Sequence, residues 1–270
     1  MRGSEDSAIA SLVDEVYRRT GVEIDARKYA MVSSRLRRRC RELGLADLQE
    51  YWDLLRTLDD AAEEVGRFVD AVTTHKTSFF RTRGVWDTLR EDVGRRASAG
   101  ERMAFWSAAC STGEEPASIA LLAASITEEH SGFSWSVEAS DVSPVAVSRA
   151  STMRFSSDQI ERAIESRPEI GMDRWFEGAC EGDRRLAATL RRRVTFREHN
   201  LFDAPRRGFD VVLVRNVLIY FNESDTKRVL GNCIGALRPK GLLVIGESES
   251  LAGRDSDLEY VAPCIYRKSN

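Results

Sequence analysis

From residue 103 onward, short strand-like runs alternate with segments of helical character. The four runs are residues 103–109 (MAFWSAA), Phe133–Ala139, Phe209–Val214 and Gly241–Gly246. Mostly apolar runs of this length are typical of parallel strands that are buried on both faces of a sheet. The pattern therefore predicts an α/β fold with a mostly parallel sheet, in which the carboxyl ends of the strands share one edge.

The first run leads into the segment SAACSTGEEP, Ser107 to Pro116. Ligands of open α/β sheets bind beyond the carboxyl ends of the strands, where the next helix begins. Small residues let a ligand approach the backbone there, and Glu114 and Glu115 suit a cationic or hydroxyl-bearing ligand rather than a phosphate. We therefore expect a nucleoside with a positive tail. An alternative interpretation is a capping box, in which Thr112 and Glu115 only satisfy the first amides of the helix.

The next two runs also end in polar residues. Asp141 follows the second run, where Rossmann-like folds place the acid that accepts ribose hydroxyls. Arg215 and Asn216 follow the third run. We expect these side chains to meet Glu115 at one edge of the sheet.

The composition is that of a globular protein. Of the 270 residues, 42% are hydrophobic and 31% charged, and no run approaches the roughly 20 apolar residues of a membrane span. The first residues, MRGSEDSAIA, lack the apolar core of a signal peptide. Dispersed cysteines without a C-x-x-C pair predict reduced thiols, and widely separated histidines argue against a metal site. We expect a cytoplasmic protein with no metal and no direct membrane insertion.

The first 72 residues resemble a separate helical domain, with few glycines and apolar residues at helical spacing. Its second helix carries a dense basic cluster, although the formal net charge of the chain is -3: Arg35, Arg37, Arg38, Arg39 and Arg41. One interpretation is a solvated helix face whose last arginines complement the helix dipole. We favour an acidic partner. A protein fits better than nucleic acid, because the chain has no basic excess and no interleaved aromatic residues.

The segment TTHKTSFFR, Thr73 to Arg81, joins the two regions. Phe79 and Phe80 are expected to anchor it in the core, because large aromatic side chains bury much apolar area. The threonines and Arg81 are less easily explained by packing. A polar junction between two domains predicts a ligand pocket.

Several blocks of the sequence resemble those of one family. TTHKTSFFR is similar to the pattern TTN-x-T-x-FFR, SAACSTGEEP is similar to SAA-x-STGEEP, and ASD, HNL and RNVLIYF follow in the same order and spacing. These blocks are typical of the CheR-type chemotaxis protein methyltransferases. The resemblance spans nearly the whole chain. It implies transfer of a methyl group from S-adenosylmethionine to glutamate side chains of chemoreceptors, with S-adenosylhomocysteine as the other product.

The resemblance also implies an architecture. We expect a Rossmann-like class I methyltransferase domain with a mostly parallel sheet, a small antiparallel β-subdomain and an all-helical N-terminal domain. The expected boundaries are 1–72 for the helical domain, 73–84 for a linker that contributes to the active site, and 85–270 for the catalytic domain. The β-subdomain is expected at about 171–197.

The family motifs imply the site residues as well. The implied cofactor-binding residues are His75, Thr77, Arg81, Glu115, Asp141, Asn200, Leu201, Arg215 and Asn216. From motif position we further expect Arg81 and Tyr220 to orient carboxyl groups at the reaction centre, and the five arginines of the basic helix to bind the substrate. The family usually has Asn where this chain has His75; an imidazole can replace that hydrogen bond but adds a pH dependence.

The implied partner is the acidic helical bundle of the cytoplasmic domain of a chemoreceptor, bound by a monomeric enzyme. A C-terminal peptide of the receptor would add a strand to the β-subdomain, whereas an ordinary edge without a ligand is the alternative. Two other functions stay open: a methyltransferase of this fold for another protein or a small carboxylic acid, and a non-catalytic module that binds the cofactor. Arg81, Asp141, Asn216 and Tyr220 argue against the second of these.

Overall fold

The computed structural model describes residues 2–59, 62–73, 76–178, 182–251 and 257–270, with side chains from residue 7 onward. In these ranges the chain forms a helical N-terminal domain and an α/β domain. The last helix of the first domain ends at Val72, and the first helix of the second begins at Arg83. The last two residues of the predicted linker therefore belong to that helix.

Four helices form the described part of the N-terminal domain: α1 (Arg2–Thr20), α2 (Tyr29–Leu43), α3 (Leu48–Leu55) and α4 (Glu63–Val72). Their apolar faces enclose a core that contains Leu12, Leu36 and Phe68, all fully buried. Gly44 ends α2 in the left-handed conformation, with φ 72, and the Asp47 side chain caps the first amides of α3. The helical periodicity of the sequence thus becomes a closed helical domain.

The α/β domain contains these strands in its described residues: β1 (Arg102–Ser107), β2 (Ser134–Asp141), β3 (Arg154–Ser156), β4 (Phe176–Gly178), β5 (Asp183–Leu186), β6 (Val194–Glu198), β7 (Phe209–Val214), β8 (Leu237–Ile245), β9 (Leu258–Ala262) and β10 (Ile265–Lys268). The main sheet has the order β6-β2-β1-β7-β8-β10-β9, and the small sheet has the order β3-β5-β4. The strands from β6 to β8 in that order pair in parallel, whereas β10 and β9 are antiparallel additions.

The helices of this domain in the described residues are α5 (Arg83–Ser98), α6 (Glu114–Glu129), α7 (Pro144–Ser151), α8 (Ser157–Ser166), α9 (Ala188–Arg191) and α10 (Glu223–Ala236). Helix α6 packs into the core on one face of the main sheet and α10 into the core on the other face, whereas α8 packs beside β3 of the small sheet. Phe105 and Val211 pack into one core, whereas their neighbours Trp106 and Val212 pack into the core on the other face. This burial on both faces confirms the predicted parallel sheet. Among the helices in the described part of the chain, none combines the length and apolarity that a bilayer crossing requires.

The small antiparallel sheet covers different residues from the expected range 171–197. Its strand β3 lies before that range, and a strand of three residues is too short to be recognised from its hydrophobic pattern. At the other end, β6 joins the main sheet beside β2, with Val194 paired to Val137. This parallel pairing buries Val194 in the main core. The expected boundaries of the subdomain were therefore wrong at both ends.

The capping box at the start of α6 is also wrong. Gly113 precedes the helix with φ 102, and no side chain caps the first amides. Thr112 instead donates its hydroxyl to Glu114 at 2.7 Å, and Ser107 donates to Glu115 at 2.7 Å. Because glycine readily adopts positive φ, the chain turns into the helix without the predicted cap. Both acids are bound by other side chains.

The N-terminal domain packs beside the carboxyl ends of the parallel strands. The Asn200 side-chain amide donates a 2.9 Å hydrogen bond to the carbonyl oxygen of Arg19, at the end of α1. The backbone amide of Glu23 donates a 2.8 Å bond to the carbonyl oxygen of Tyr220. These contacts hold the loop between α1 and α2 over the edge of the sheet where a ligand is expected.

Candidate active site

A cleft, here called the interdomain cleft, lies between the two domains at the carboxyl ends of β1, β2 and β7. Its walls include nine of the residues expected from the motifs: Thr77, Arg81, Glu115, Asp141, Asn200, Leu201, Arg215, Asn216 and Tyr220. His75 lies outside the described residues. The structure thus brings together residues that are separated by more than a hundred positions in the sequence.

The turn between β1 and α6 brings backbone to the floor of the cleft. Ser111 has φ 50 and Gly113 has φ 102. A Cβ atom at Gly113 would lie 3.1 Å from the Cα atom of Ala150, in α7. The small residues of this turn therefore serve close packing as well as access to the cleft, and only glycine combines that conformation with that contact.

Asp141 ends β2 with its carboxylate fixed by backbone amides. One oxygen accepts the amide of Ser111 at 2.8 Å, and the other accepts the amide of Ser143 at 3.1 Å. The side chain lines the cleft although the residue is only 9% exposed. A carboxylate oriented in this way can accept hydroxyl hydrogen bonds from one defined direction. Its position is the one that Rossmann-like folds use for ribose.

Glu115 and Arg215 form a buried ion pair in the wall. The Arg215 guanidinium donates to Glu115 at 3.1 Å and to the backbone carbonyl of Arg81 at 2.7 Å. Its Nε atom is buried without a hydrogen-bond partner in the described structure. Arg215 therefore connects α6, the loop after β7 and the linker. Glu114 lies outside this cleft and bonds to Thr112 and Gln159, so the geometry favours Glu115 as the acid that faces a ligand.

The linker is held firmly where it passes the cleft. The Phe80 amide donates a 3.0 Å hydrogen bond to Ser118 on α6, and the ring of Phe80 packs edge-on against Trp86 at 5.2 Å. The ring of Phe79 lies 4.7 Å from that of Phe155. Both phenylalanines are buried, as expected of core anchors. The half-buried Arg81 follows them directly, so its side chain starts from a fixed point.

Glu249 joins two loops beside the cleft, and the sequence did not reveal this role. Its carboxylate accepts the backbone amides of Gly246 at 2.6 Å, Asn216 at 3.2 Å and Leu218 at 2.8 Å. Burial raises the pKa of this carboxyl above its usual value of 4.5 and outweighs the hydrogen bonds from backbone amides, which lower it. The only sequence signal is an acid a few residues after a buried strand, a feature that many surface loops share.

The N-terminal domain supplies a wall that the sequence interpretation did not assign to the cofactor site. The wall residues from α1, α2 and the loop between them are Thr20, Val22, Glu23, Ile24, Lys28, Met31 and Val32. The Lys28 ammonium lies over the ring of Tyr220, 4.9 Å from its centroid. Such a cation–π contact joins the two domains at the cleft.

His199 is a second unassigned wall residue. It is 9% exposed, its ring packs against Trp106 at 5.7 Å, and its Nε2 atom is buried without a partner in the described structure. Burial lowers the pKa of this imidazole, with a further contribution from Arg197. A neutral imidazole in the wall suits a ligand that carries an uncharged aromatic base.

The five arginines of the basic helix do not form one surface. Arg35 donates to the carbonyl of Thr73 at 2.9 Å, and Arg39 bonds to Glu64 and Glu42, so both help to pack α2 against α4 and the linker. The exposed members are Arg37, Arg38 and Arg41. A groove, here called the arginine groove, is lined by five basic residues, Arg35, Arg38, Arg39, Arg67 and Lys76, by two acids, Glu42 and Asp70, and by Thr73, among others.

Comparison with known proteins decides the family. Residues 75–265 match the family described as CheR methyltransferase, SAM binding domain, and residues 7–73 match the CheR methyltransferase all-alpha domain. The chain belongs to the CheR methyltransferase family. It is 33% identical to the chemotaxis protein methyltransferase of Klebsiella aerogenes over 257 residues, which cover 93% of the chain and 86% of that protein.

Two other CheR relatives give the same result. Chemotaxis protein methyltransferase 2 of Pseudomonas aeruginosa is 34% identical, over 94% of the chain and 90% of that protein. The chemotaxis protein methyltransferase of Escherichia coli is 34% identical, over 88% of the chain and 82% of that protein. Membership makes the chain one of the S-adenosylmethionine-dependent methyltransferases of chemotaxis.

The residues of the interdomain cleft fit S-adenosylmethionine in their chemistry. Two acids at the ends of strands, Asp141 and Glu115, line the cleft. Their carboxylates can accept hydrogen bonds from ribose hydroxyls and attract positive charge. Arg81 lines the same cleft, and its guanidinium has the charge that suits a carboxylate such as that of the amino-acid part. The neutral ring of His199 and the apolar wall of Leu201 suit an adenine.

Proposed function

We propose that the chain is a protein-glutamate O-methyltransferase that forms methyl esters on the cytoplasmic helical bundle of a chemoreceptor. One observation carries the proposal: the arginine groove adjoins the interdomain cleft. Thr73 and Lys76 line both. An acidic helix lying in the groove would thus bring its carboxylates to the residues that surround the cofactor.

The required chemistry is a displacement at carbon. S-adenosylmethionine, when bound, supplies a methyl group activated by a positive sulfonium. The glutamate side chain, with a reference pKa of about 4.3, is already ionised near neutral pH and needs no general base. The contribution of the chain is therefore alignment, which can lower a barrier by roughly 7 to 11 kcal/mol in favourable cases.

Within this proposal, the carboxylate of Asp141 accepts hydrogen bonds from the ribose hydroxyls. Arg81 and Tyr220 orient the carboxylates at the reaction centre. Arg81 holds the carboxylate of the cofactor, and Tyr220 faces the cleft from the other side. Because the reacting charges neutralise each other, a site that bound either ion very strongly would slow the step. A half-buried arginine and a phenol meet this requirement better than several buried cations would.

The exposed Arg38 contacts the acidic partner in the groove, and Arg35 and Arg39 shape the groove, whereas Arg37 and Arg41 lie outside its lining. The small sheet offers two outer strands, β3 and β4, and a C-terminal peptide of the receptor would pair with one of them. The enzyme acts as a monomer in the cytoplasm, where these receptor domains lie.

The experiment that tests the activity uses S-adenosylmethionine labelled in its methyl group and membranes that contain the chemoreceptors of the source. Base-labile methyl esters on receptor glutamates are expected. Arg81→Ala is expected to weaken binding of S-adenosylhomocysteine and to slow transfer. Cofactor binding without any transfer would support a binding module instead, and transfer to a small acid but not to receptors would support a different substrate.

A second experiment tests docking. Replacing Arg38 and Arg67, which both line the arginine groove, by Glu should raise the KM for receptor and leave the affinity for S-adenosylhomocysteine unchanged. Arg162→Glu, a reversal at an exposed arginine on α8, is the matched control and should leave both unchanged. An unaltered KM in the double variant would contradict docking in the arginine groove.

A further inference from the structure

Glu249 connects the loops that follow two neighbouring strands. It stands shortly after the end of β8, and its carboxylate accepts the amide of Gly246 in its own loop. The same carboxylate accepts the amides of Asn216 and Leu218, in the loop after β7. One side chain therefore fixes the loop that carries Asn216 and Tyr220 to the next strand of the sheet.

The loop after β7 needs such an acceptor because of its backbone conformation. Asn216 has φ 59, in the left-handed region that asparagine adopts more readily than most residues other than glycine. A 3₁₀ turn, Leu218–Tyr220, follows directly. The first amides of a helical turn have no acceptor within the turn, and an unpaired buried amide is unfavourable. The carboxylate of Glu249 satisfies these amides and holds Asn216 in place.

Gly246 makes this close approach sterically feasible. A Cβ atom at this position would lie 2.8 Å from both the backbone nitrogen and Nδ2 of Asn216, and 2.9 Å from a carboxylate oxygen of Glu249. Each distance is shorter than van der Waals contact allows. Glycine here lets the loop after β7, the loop after β8 and the carboxylate meet at one point.

A carboxyl group is an unfavourable choice for a purely structural link at this depth. Burial raises the pKa of Glu249 in spite of the amide hydrogen bonds, so its ionised form is held against a desolvation penalty. Groups held in this way are more frequent at functional sites than elsewhere.

We propose that Glu249 is a positioning residue of the cofactor site, which holds Asn216 and Tyr220 in the geometry that binds S-adenosylmethionine. Glu249 itself does not line the interdomain cleft among the described residues. It acts through the loop after β7. The inference rests on the cofactor site of the family and is independent of which carboxylate accepts the methyl group.

The test compares Glu249→Gln with Glu247→Gln, a matched control at an exposed acid of the same loop. A glutamine keeps the size of the side chain but replaces one acceptor oxygen by a donor, which faces amides that also donate. Calorimetric titration with S-adenosylhomocysteine should show roughly 10- to 100-fold weaker binding for Glu249→Gln, the loss typical of hydrogen bonds to a charged group. The control should bind like the unaltered protein.

A second readout needs no ligand. Hydrogen exchange of the amides of Asn216 and Leu218 should be faster in Glu249→Gln and unchanged in Glu247→Gln. Gly246→Ala, which disturbs the same meeting point without changing any charge, should act in the same direction on both readouts. It also provides the test if Glu249→Gln fails to fold.

The calorimetric titration with S-adenosylhomocysteine distinguishes a positioning role of Glu249 from a merely structural one. A lower binding stoichiometry with an unchanged dissociation constant would mean that Glu249 only keeps the protein folded, and would overturn the proposal. Unchanged exchange of Asn216 and Leu218 would overturn it as well. Because no receptor is present, a wrong methyl acceptor would leave these results unaffected.

Discussion

The guanidinium of Arg215 donates a 3.1 Å hydrogen bond to the carboxylate of Glu115, with 3% and 11% of the two side chains exposed. Arg215 lies just beyond β7, and Glu115 lies in the first turn of α6. The pair therefore joins two neighbouring strand ends across the floor of the interdomain cleft. A second bond from Arg215 reaches the carbonyl of Arg81, so the linker depends on the same guanidinium.

Replacing Arg215 by Ala should destabilise the protein, because it leaves the Glu115 carboxylate buried without its cation. We expect the free energy of unfolding to fall by about 3 to 5 kcal/mol, the usual effect of removing one partner of a buried ion pair. Urea denaturation at neutral pH measures the change. Arg162→Ala, at an exposed position on α8, should change stability little. A loss as small as that of the control would mean that Glu115 finds another partner.

The strand-end residues were predictable from the sequence for a general reason. In a parallel sheet every strand brings its last residues to one edge, so Glu115, Asp141 and Arg215 had to converge once the strands were recognised. The motif resemblance then extended this set to Asn200 and Tyr220. Neither source of information depended on long-range side-chain packing.

Other features depended on packing and could not be read from the chain. The acceptor role of Glu249 exists only because Gly246 and Asn216 meet there, and the wall around Glu23 exists only because α1 docks on the other domain. Arg39 looked like its exposed neighbours in the sequence, yet it faces Glu64 on α4. In each case the partner is distant in sequence, so no local pattern records it.

Gly21 is a steric requirement of the contact between the two domains. It has φ +69, and a Cβ atom there would overlap the ring of Phe202. Gly21→Ala should therefore lower the free energy of unfolding by about 1 to 2 kcal/mol through backbone strain. Overpacking against Phe202 should lower it by roughly a further 1 to 3 kcal/mol. Because Glu23 lines the cleft, binding of S-adenosylhomocysteine should also weaken.

The control for Gly21→Ala is Gly44→Ala. Gly44 has φ +72 but nothing within 4 Å of the added Cβ atom, so this variant should show the backbone strain alone, about 1 to 2 kcal/mol. Thermal or urea unfolding of both variants isolates the contribution of the Phe202 contact. Equal losses in the two variants would show that the domains adjust to the extra methyl group.

Arg39 and Arg41 should differ in their effect on stability although both belong to the basic helix. Arg39 and Glu64 have 12% and 13% of their side chains exposed, and Glu64 also accepts the hydroxyl of Tyr51 at 2.8 Å. Arg39→Ala should lower the free energy of unfolding by about 1.5 to 3 kcal/mol, as expected for hydrogen bonds to a charged group. Arg41→Ala, at an exposed position, should change it by less than about 0.5 kcal/mol. Urea denaturation of both variants measures these changes. Equal losses of stability in Arg39→Ala and Arg41→Ala would contradict the prediction.

The raised pKa of Glu249 predicts how stability changes with pH. Because burial raises the pKa of this carboxyl in the folded protein above 4.5, the folded state binds the proton more tightly than the unfolded state. The stability that this proton contributes is therefore fully present below the pKa that Glu249 has in the unfolded chain. It is lost as pH rises through the pKa that Glu249 has in the folded protein. Glutamine has no such proton, so the stability of the unaltered protein relative to Glu249→Gln should fall as pH increases from about 4.5 toward neutrality.

Urea denaturation at a series of pH values measures this difference, with Glu247→Gln as the exposed control. A difference that stayed constant, or that grew with pH, would mean that the carboxyl is ionised without penalty and that the amide hydrogen bonds outweigh its burial.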